Sequence, residues 1–414
     1  MSQQPVIDVL LQALITNDQV ALNNLKSNRA EECTDLRAII STDHPDAVEL
    51  DLGLGVSSNE FITPIFEGPR AFFLSRHISV QARITGGKTT APLDYSLSFD
   101  SNFAEKLRAV IHGEKVQQSD RDRVIEVLML KANNAKVQFD VLPFLCENIR
   151  LARENAGNNR PLNTLIAFRM LDHLNWGAFQ SDPSNFDFGT SIEALRVSIE
   201  PEASAFLASE FTNPSVMHHE AMSAGVQAML LRFATLWHKT EKRDTRCILG
   251  ELLEFCVSKL GYIPTTELAL IWTGIKQKVV APFFGPIINP SKKMLKAIEG
   301  MAWDMTHLRL MEKTATLTEF GSFFIPYYVS FDQRWRNLIR LNPVRIMLID
   351  DAKNSVLFAR AHELEFQVAC QEGASAGVLA ERRPEDIAAR RQASRSIDLA
   401  TMRNIVTDEE RAWL

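Results

Sequence analysis

The sequence predicts an α/β protein in which parallel strands are covered by helices on both faces. Three observations lead there. Residues 47–99 break into short β-rich runs, the chain from 101 to about 314 keeps a helical period almost throughout, and a strand–helix–strand alternation returns within 323–350.

Residues 5–27 place Val9, Leu10, Leu14, Leu22 and Leu25 at helical spacing, which predicts one or two helices. VELDLGLGV, FITPIF, RAFFLS, ISVQARIT and LDYSLSF follow, punctuated by Gly, Pro and Asn, and read as strands. FAEKLRAVIHG, DRDRVIEVLMLKANN and VLPFLCENIRLARENA are helical in period. From 160 to 300 the period stays helical, with breaks at Pro201, Pro214, Pro264, Pro282 and Pro286. The segment 291–314 is predicted to be the cleanest amphipathic helix of the chain. FFIPYYVSF, QRWRNLIRL and VRIMLID then form a βαβ unit, whose unbroken apolar runs suit parallel strands buried on both faces. From 354 the pattern is helical, and ERRPEDIAARRQASR is a mixed-charge stretch expected to be solvated or bound to a partner.

The chain of 414 residues carries 45 Lys+Arg against 51 Asp+Glu, a net charge of −6, with 46% hydrophobic and 23% charged residues. These proportions suit a large buried core and exclude collagen-like, disordered and coiled-coil classes. They also argue against a general nucleic-acid coat, which needs a basic excess; one local basic rim stays compatible. Five scattered cysteines without a CxxC pair exclude a zinc ribbon and a dithiol centre, and suit a reducing compartment. The first eighteen residues lack a basic leader region and have Asp8 within the apolar run, so they read as a helix rather than a signal peptide. No run of eighteen apolar residues lacks a charge, so no membrane span is expected and the protein is expected to be cytoplasmic.

Several motifs fail on context. GGKTT at 86–90 lacks the first glycine of a phosphate loop, since Ala82 stands there, and runs into Pro92; it reads as a hairpin turn. Gly53 and Gly55 lack the third glycine and the helix of a dinucleotide fingerprint. His218, His219 and Glu220 do not form a metal motif, because adjacent helical residues point about 100° apart; a surface or loop role is expected. A different set holds together. Asp100 and Asp332 each stand where a strand gives way to a helix, which in a parallel sheet is the ligand-binding carboxyl edge. Asp304 and Glu147 are acids inside apolar helices, where burial demands a partner. A helix N-cap, worth about 1 kcal/mol, would account for Asp100 and Asp332 without chemistry, but not for Asp304 or Glu147. Four clustered carboxylates repel one another unless a cation neutralises them, and hard oxygen ligands suit Mg²⁺ or Mn²⁺.

In this order the residues resemble the motifs of PIN-domain nucleases. Asp100-Ser101-Asn102 resembles their opening motif, Asp304 with His307 in WDMTHL their helical third motif, and Ser330-Phe331-Asp332 their fourth. VRIMLID fits as a further strand. The second motif is a helical Glu, assigned to Glu147, with Glu251 or Glu254 as the alternative. The resemblance covers 93–157 and 291–353. It implies an α/β fold with a parallel sheet flanked by helices, a β-rich N-terminal extension (1–92), a mostly helical insertion (158–290) and a helical tail (354–414). It further implies a metal-dependent endoribonuclease, of a kind often acting as a toxin or defence effector. Asp100, Glu147, Asp304 and Asp332 would hold one or two Mg²⁺ or Mn²⁺ ions, with Asn102, Ser330 and His307 behind them. RNA, or DNA, would be the substrate, and a regulatory protein or a second copy of the chain a partner. Because acids repel a polyanion, a basic rim is required; Lys292, Lys293, Lys296, Arg334, Arg336 and Arg340 are the candidates, with Arg382, Arg383, Arg390 and Arg391 in the tail. The alternative class is a non-catalytic α/β scaffold that binds RNA or a protein, with the acids as caps.

Overall fold

The computed structural model of the chain describes residues 5–50, 52, 61–85, 93–155, 157–239, 244–279, 281–316, 323–380 and 384–413. Its β-structure falls into two sheets of different kind. One is antiparallel throughout, in the order β2 (Val48–Glu49), β4 (Arg70–Leu74), β1 (Leu36–Thr42), β8 (Val344–Asp350), β9 (Ser355–Arg360). The other runs β3 (Ile62–Pro64), β7 (Phe323–Val329), β5 (Leu93–Phe99), β6 (Val137–Asp140). In that sheet β5 is parallel to both β7 and β6, while β3 pairs antiparallel with the outer edge of β7. The protein is therefore mixed α/β, with parallel strands at the centre of one sheet.

The expected βαβ unit does not form. VRIMLID is β8, and it lies between β1 and β9 in the antiparallel sheet, with Ile39 opposite Met347. β3 already occupies the free edge of β7, with Ile62 opposite Val329. The apolar run has its own cause: Met347 and Ile349 enter the main core, while Ile346 and Leu348 pack under α1 (Val6–Thr16) and α2 (Gln19–Asn28). A run buried on both faces thus reports two covered faces, not a partner or a direction. Two further runs differ from expectation. ISVQARIT is helical, α3 (Arg76–Ile84), because Ser75 caps it by accepting from Ile78 N at 3.2 Å. Its apolar residues at 78, 80, 82 and 84 mimic a strand, yet only Ile78 is buried. Residues 355–360, expected within a helical tail, form the edge strand β9; six residues are too few to show a period.

The helices α4 (Ser101–Ile111) and α5 (Gln118–Asn133) cross from β5 to β6, and α6 (Leu142–Glu154) leaves β6. The chain then builds a helical mass from α7 (Arg160–Met170), α8 (Trp176–Ser181), α9 (Ile192–Glu210), α10 (Pro214–Lys239), α11 (Thr245–Phe255), α12 (Thr265–Lys276) and α13 (Ala281–Ile288) before α14 (Met294–Thr314) returns it to β7. α15 (Gln333–Leu341) joins the two sheets, and α16 (Glu363–Gly373), α17 (Ala376–Ala380), α18 (Pro384–Arg395) and α19 (Leu399–Glu410) close the chain. α10 is the axis of this mass, buried around most of its circumference and packed against α14, α11 and α19. α14 is not the amphipathic helix expected. It lies between α10 and β7 and buries Met301 to Trp303 and Met305 to Leu308 in unbroken succession. Where α11 meets α16, glycines allow the backbones to touch: a Cβ on Gly250 would lie 2.2 Å from the Gly373 carbonyl oxygen. Among the described residues, no helix is long and apolar enough to cross a membrane.

GGKTT, Gly53, Gly55, Arg382, Arg383 and the Arg334 side chain lie outside the described residues.

Candidate acidic site at the carboxyl edge of the parallel sheet

Because β7, β5 and β6 run in parallel, their ends converge on one edge. Ser98 is opposite both Tyr328 and Asp140, so Asp100, Ser330 and Asp332 follow just beyond, side by side. Asp100 caps α4: its Oδ1 accepts from Phe103 N at 2.7 Å, and its Oδ2 accepts from the Ser330 hydroxyl. The Ser330 hydroxyl in turn accepts from Asp332 N at 3.0 Å, so one serine ties the ends of β5 and β7 together. Asp100 is only 7% exposed. Burial, against the restraint of the Ser330 and Phe103 hydrogen bonds and aided by the charges of Glu147 and Asp332, pushes its carboxyl up to about 7.

Glu147 on α6 reaches the same edge. Its Oε2 accepts from the Ser101 hydroxyl, which also receives Asn148 Nδ2 at 2.9 Å. Although burial pushes the Glu147 carboxyl up, His307, the Ser101 hydroxyl and Arg160 outweigh it and hold the group below its usual range. About a third of the Glu147 side chain is exposed, 32%, so this acid opens the cluster to solvent. His307 Nε2 stands 3.7 Å from Glu147 Oε2, beyond hydrogen-bond length. The His307 ring is 1% exposed, and neither of its nitrogens finds a hydrogen-bond partner among the described residues. Behind it lies His219, stacked at 6.0 Å between centroids and 14° between planes. His219 is therefore not on a surface or loop; it is buried in α10, and burial first, then the charges of His307, His218 and Lys313, holds its imidazole well below its usual range.

One group senses all four acids. The Tyr328 hydroxyl is pushed well above its ordinary range by burial and then by Asp100, Asp304, Glu147 and Asp332. Asp304 and Asp332 are half-buried. Glu251 and Glu254 lie elsewhere, exposed on α11, with Glu251 facing Arg232 at 3.5 Å and Glu254 accepting from Ser375. Of the three glutamates considered, Glu147 is the one at this edge. Asn102 is exposed on the first turn of α4; the groups behind the acids are instead Ser101 and Asn148.

A further acid sits at the end of β6. Asp140 accepts from Ser98 Oγ at 2.9 Å and from Leu142 N at 2.8 Å, and burial raises its carboxyl. Its signal was the same as for Asp100, an acid closing KVQFD before a helix that begins with Leu142-Pro143, but a four-residue strand gives little period to find.

The expected basic rim divides. Lys292, Lys293 and Lys296 are exposed at the start of α14, about 12–18 Å along its axis from Asp304. Arg340 is exposed on α15, whereas Arg336 is only 6% exposed and faces no rim. Arg390 and Arg391 are on α18, where Arg391 stands 4.0 Å from Asp8.

Hard carboxylate oxygens, one of them on an acid whose charged form burial and then its neighbours' charges disfavour, are donors of the kind that suits a divalent cation. Among the described residues, no three His, Cys, Asp or Glu side chains already form a metal-holding group. Comparison of the chain with protein-family models, with curated proteins and with solved structures finds no match.

Proposed function

We propose that the chain is a PIN-like, metal-dependent endoribonuclease. The observation that carries this reading is the convergence of Asp100, Glu147, Asp304 and Asp332 on Tyr328 at the carboxyl edge, with Asp100 raised to about 7. Asp100 is buried beside the charges of Glu147 and Asp332, and a cation joining it would offset the cost of ionising it. Asp100, Glu147, Asp304 and Asp332 would hold Mg²⁺ or Mn²⁺, which when bound supplies an activated water and charge neutralisation at a phosphodiester. Ser330 and Ser101 orient the Asp100 and Glu147 carboxylates, each leaving lone pairs unused. His307 favours the charged form of Glu147 from behind. Lys292, Lys293, Lys296 and Arg340 are exposed cations that would face RNA.

The test is cleavage of labelled single-stranded RNA and tRNA with Mn²⁺, Mg²⁺ or EDTA, by wild type, Asp100→Asn and Asp304→Asn. Metal-dependent cleavage lost in both folded variants is the expected result. RNA intact in every lane, with no rise in melting temperature on adding Mn²⁺, would sink the nuclease. The second reading, an RNA- or protein-binding scaffold, would then lead; it draws on the fact that Asp100 is a complete N-cap.

A further inference from the structure

One cation at this edge is held in place yet donates no hydrogen bond to any described residue. Arg123 lies in the second turn of α5, and α5 feeds β6 at its amino end. From Arg123 down to Asn133 the helix spans about 15 Å, and β6 climbs back about 10 Å to Asp140. Arg123 therefore stands level with the ends of the strands or slightly above them. Its guanidinium carbon is 5.2 Å from the centroid of the Phe331 ring and 5.9 Å from that of Phe61. Phe331 is the residue between Ser330 and Asp332. Its ring is fixed edge-on by Phe103 at 5.4 Å and by Phe61 at 5.6 Å. Phe61 is anchored in turn, its carbonyl accepting from Ser330 N at 2.9 Å.

Neighbouring arginines are committed: Arg108 to Glu105 and Glu114, Arg150 to Glu299, Arg160 to Glu105. Arg123 makes no hydrogen bond or ion pair with any described residue. Stacking on aromatic faces orients a guanidinium while leaving its N–H fork free, and that planar fork matches the oxygens of a phosphate. An acidic centre repels a polyanion, so a fixed cation beside it is what a phosphodiester substrate needs.

We propose that Arg123, seated on Phe331 and Phe61, is the phosphate anchor of the acidic site, gripping a backbone phosphate of single-stranded RNA next to the one presented to the carboxylates. The proposal rests on the phosphodiesterase reading for its substrate class. It makes Arg123 a positioning residue.

The experiment measures binding of a fluorescein-labelled single-stranded RNA by anisotropy, across a salt series in Mg²⁺. The full chain carries Asp100→Asn so that RNA is not consumed. Arg123→Gln, Arg123→Lys and Arg121→Gln are added singly. Arg121 is the matched control, on the same helix and stacked at 5.9 Å on the remote Phe186. Arg123→Gln is expected to weaken binding about tenfold and to make the salt dependence shallower by about 0.7 in log–log slope, the share of one phosphate. Arg123→Lys is expected to keep the slope and lose part of the affinity, and Arg121→Gln to change neither. A merely structural Arg123 would lower the melting temperature without moving the slope. Unchanged affinity and slope in Arg123→Gln, equal losses in Arg121→Gln, or no RNA binding by the parent chain would each overturn the anchor. Cleavage by the chain with native Asp100 separates the two ideas. Metal-dependent cleavage with an indifferent Arg123 leaves the nuclease standing, whereas a slope change without any cleavage leaves the anchor on a scaffold.

Discussion

Replacing Asp100 by Asn should make the metal-free protein more stable at alkaline pH. Asn keeps the oxygen that caps Phe103 N, and it is as good a capping residue as Asp. The Ser330 hydroxyl, which now donates to Oδ2, can turn to accept from the Asn amide. What disappears is a buried negative charge beside Glu147 and Asp332. The native carboxyl titrates near 7 against an ordinary value of 3.8, chiefly through burial. At about 1.4 kcal/mol per tenfold, the native state bears a cost of about 4 kcal/mol once Asp100 is ionised. The sign follows from proton counting. Between about pH 4 and 7 the folded chain keeps a proton that the unfolded chain has released, so stability falls as pH rises through this window. The cost is absent below about pH 4 and complete above about 7. Urea denaturation of wild type and Asp100→Asn in EDTA, at intervals from about pH 4 to pH 8, should show the variant gaining on wild type with pH, by up to about 4 kcal/mol. Adding Mn²⁺ at pH 8 should then raise wild type and leave the variant unchanged. A difference independent of pH, or a variant less stable than wild type at pH 8, would refute the burial argument.

Glu147→Gln retains an acceptor for Ser101 but not the charge facing His307; stability should fall by about 1 kcal/mol, and metal-dependent cleavage by about a hundredfold or more. A loss of activity below tenfold in a folded variant would remove Glu147 from the ligand set. Arg360→Met cuts a network in which Arg360 and Arg309 share the buried Glu312 while Arg309 grips Glu267 through two nitrogens, at 3.1 and 2.9 Å. Urea denaturation should register a cost of about 3 kcal/mol, since Glu312 stays buried with one cation fewer. Gly250→Ala tests the contact of α11 with α16. Ala favours a helix by up to about 1 kcal/mol, yet its Cβ at 2.2 Å from the Gly373 carbonyl should reverse the sign to a loss of about 1–3 kcal/mol. A more stable Ala variant would mean that the two helices separate easily.

Four of the acids were legible in the sequence from local context. Asp304 and Glu147 are acids in apolar helices, against the local rule, while Asp100 and Asp332 stand at the favoured cap position where a strand gives way to a helix, and neither signal needs knowledge of the fold. Their supports were less visible. Ser101 meets Glu147 across 46 positions, and a serine at a helix start has a sufficient local explanation as a cap residue. His219 was hidden for another reason. Two adjacent histidines suggest a polar face, and only the burial of α10 around its circumference turns one of them inward. Elements were readable where period and capping stood out, as in α4 behind its Asp100 cap, but strand partners were not. β8 carries an apolar run that belongs equally well in a parallel or an antiparallel sheet once both faces are covered.

The antiparallel sheet also dictates a schedule for synthesis. β1 lies between β4, close by in the chain, and β8, so that Arg37 meets Asp351 across 314 positions. About 270 residues separate the end of β4 from β8, and at ribosomal rates of roughly 5–20 residues per second β1 waits tens of seconds for its second neighbour. Throughout that interval the nascent chain presents an open strand edge rich in isoleucine, a template for intermolecular pairing. A chaperone that shields this edge would serve the protein during translation, and messages truncated before residue 344 would yield insoluble products. Asp304 and Asp332 emerge more than 150 residues after Glu147. A ribosome-bound fragment that stops short of them would therefore hold only Asp100 and Glu147 of the four acids.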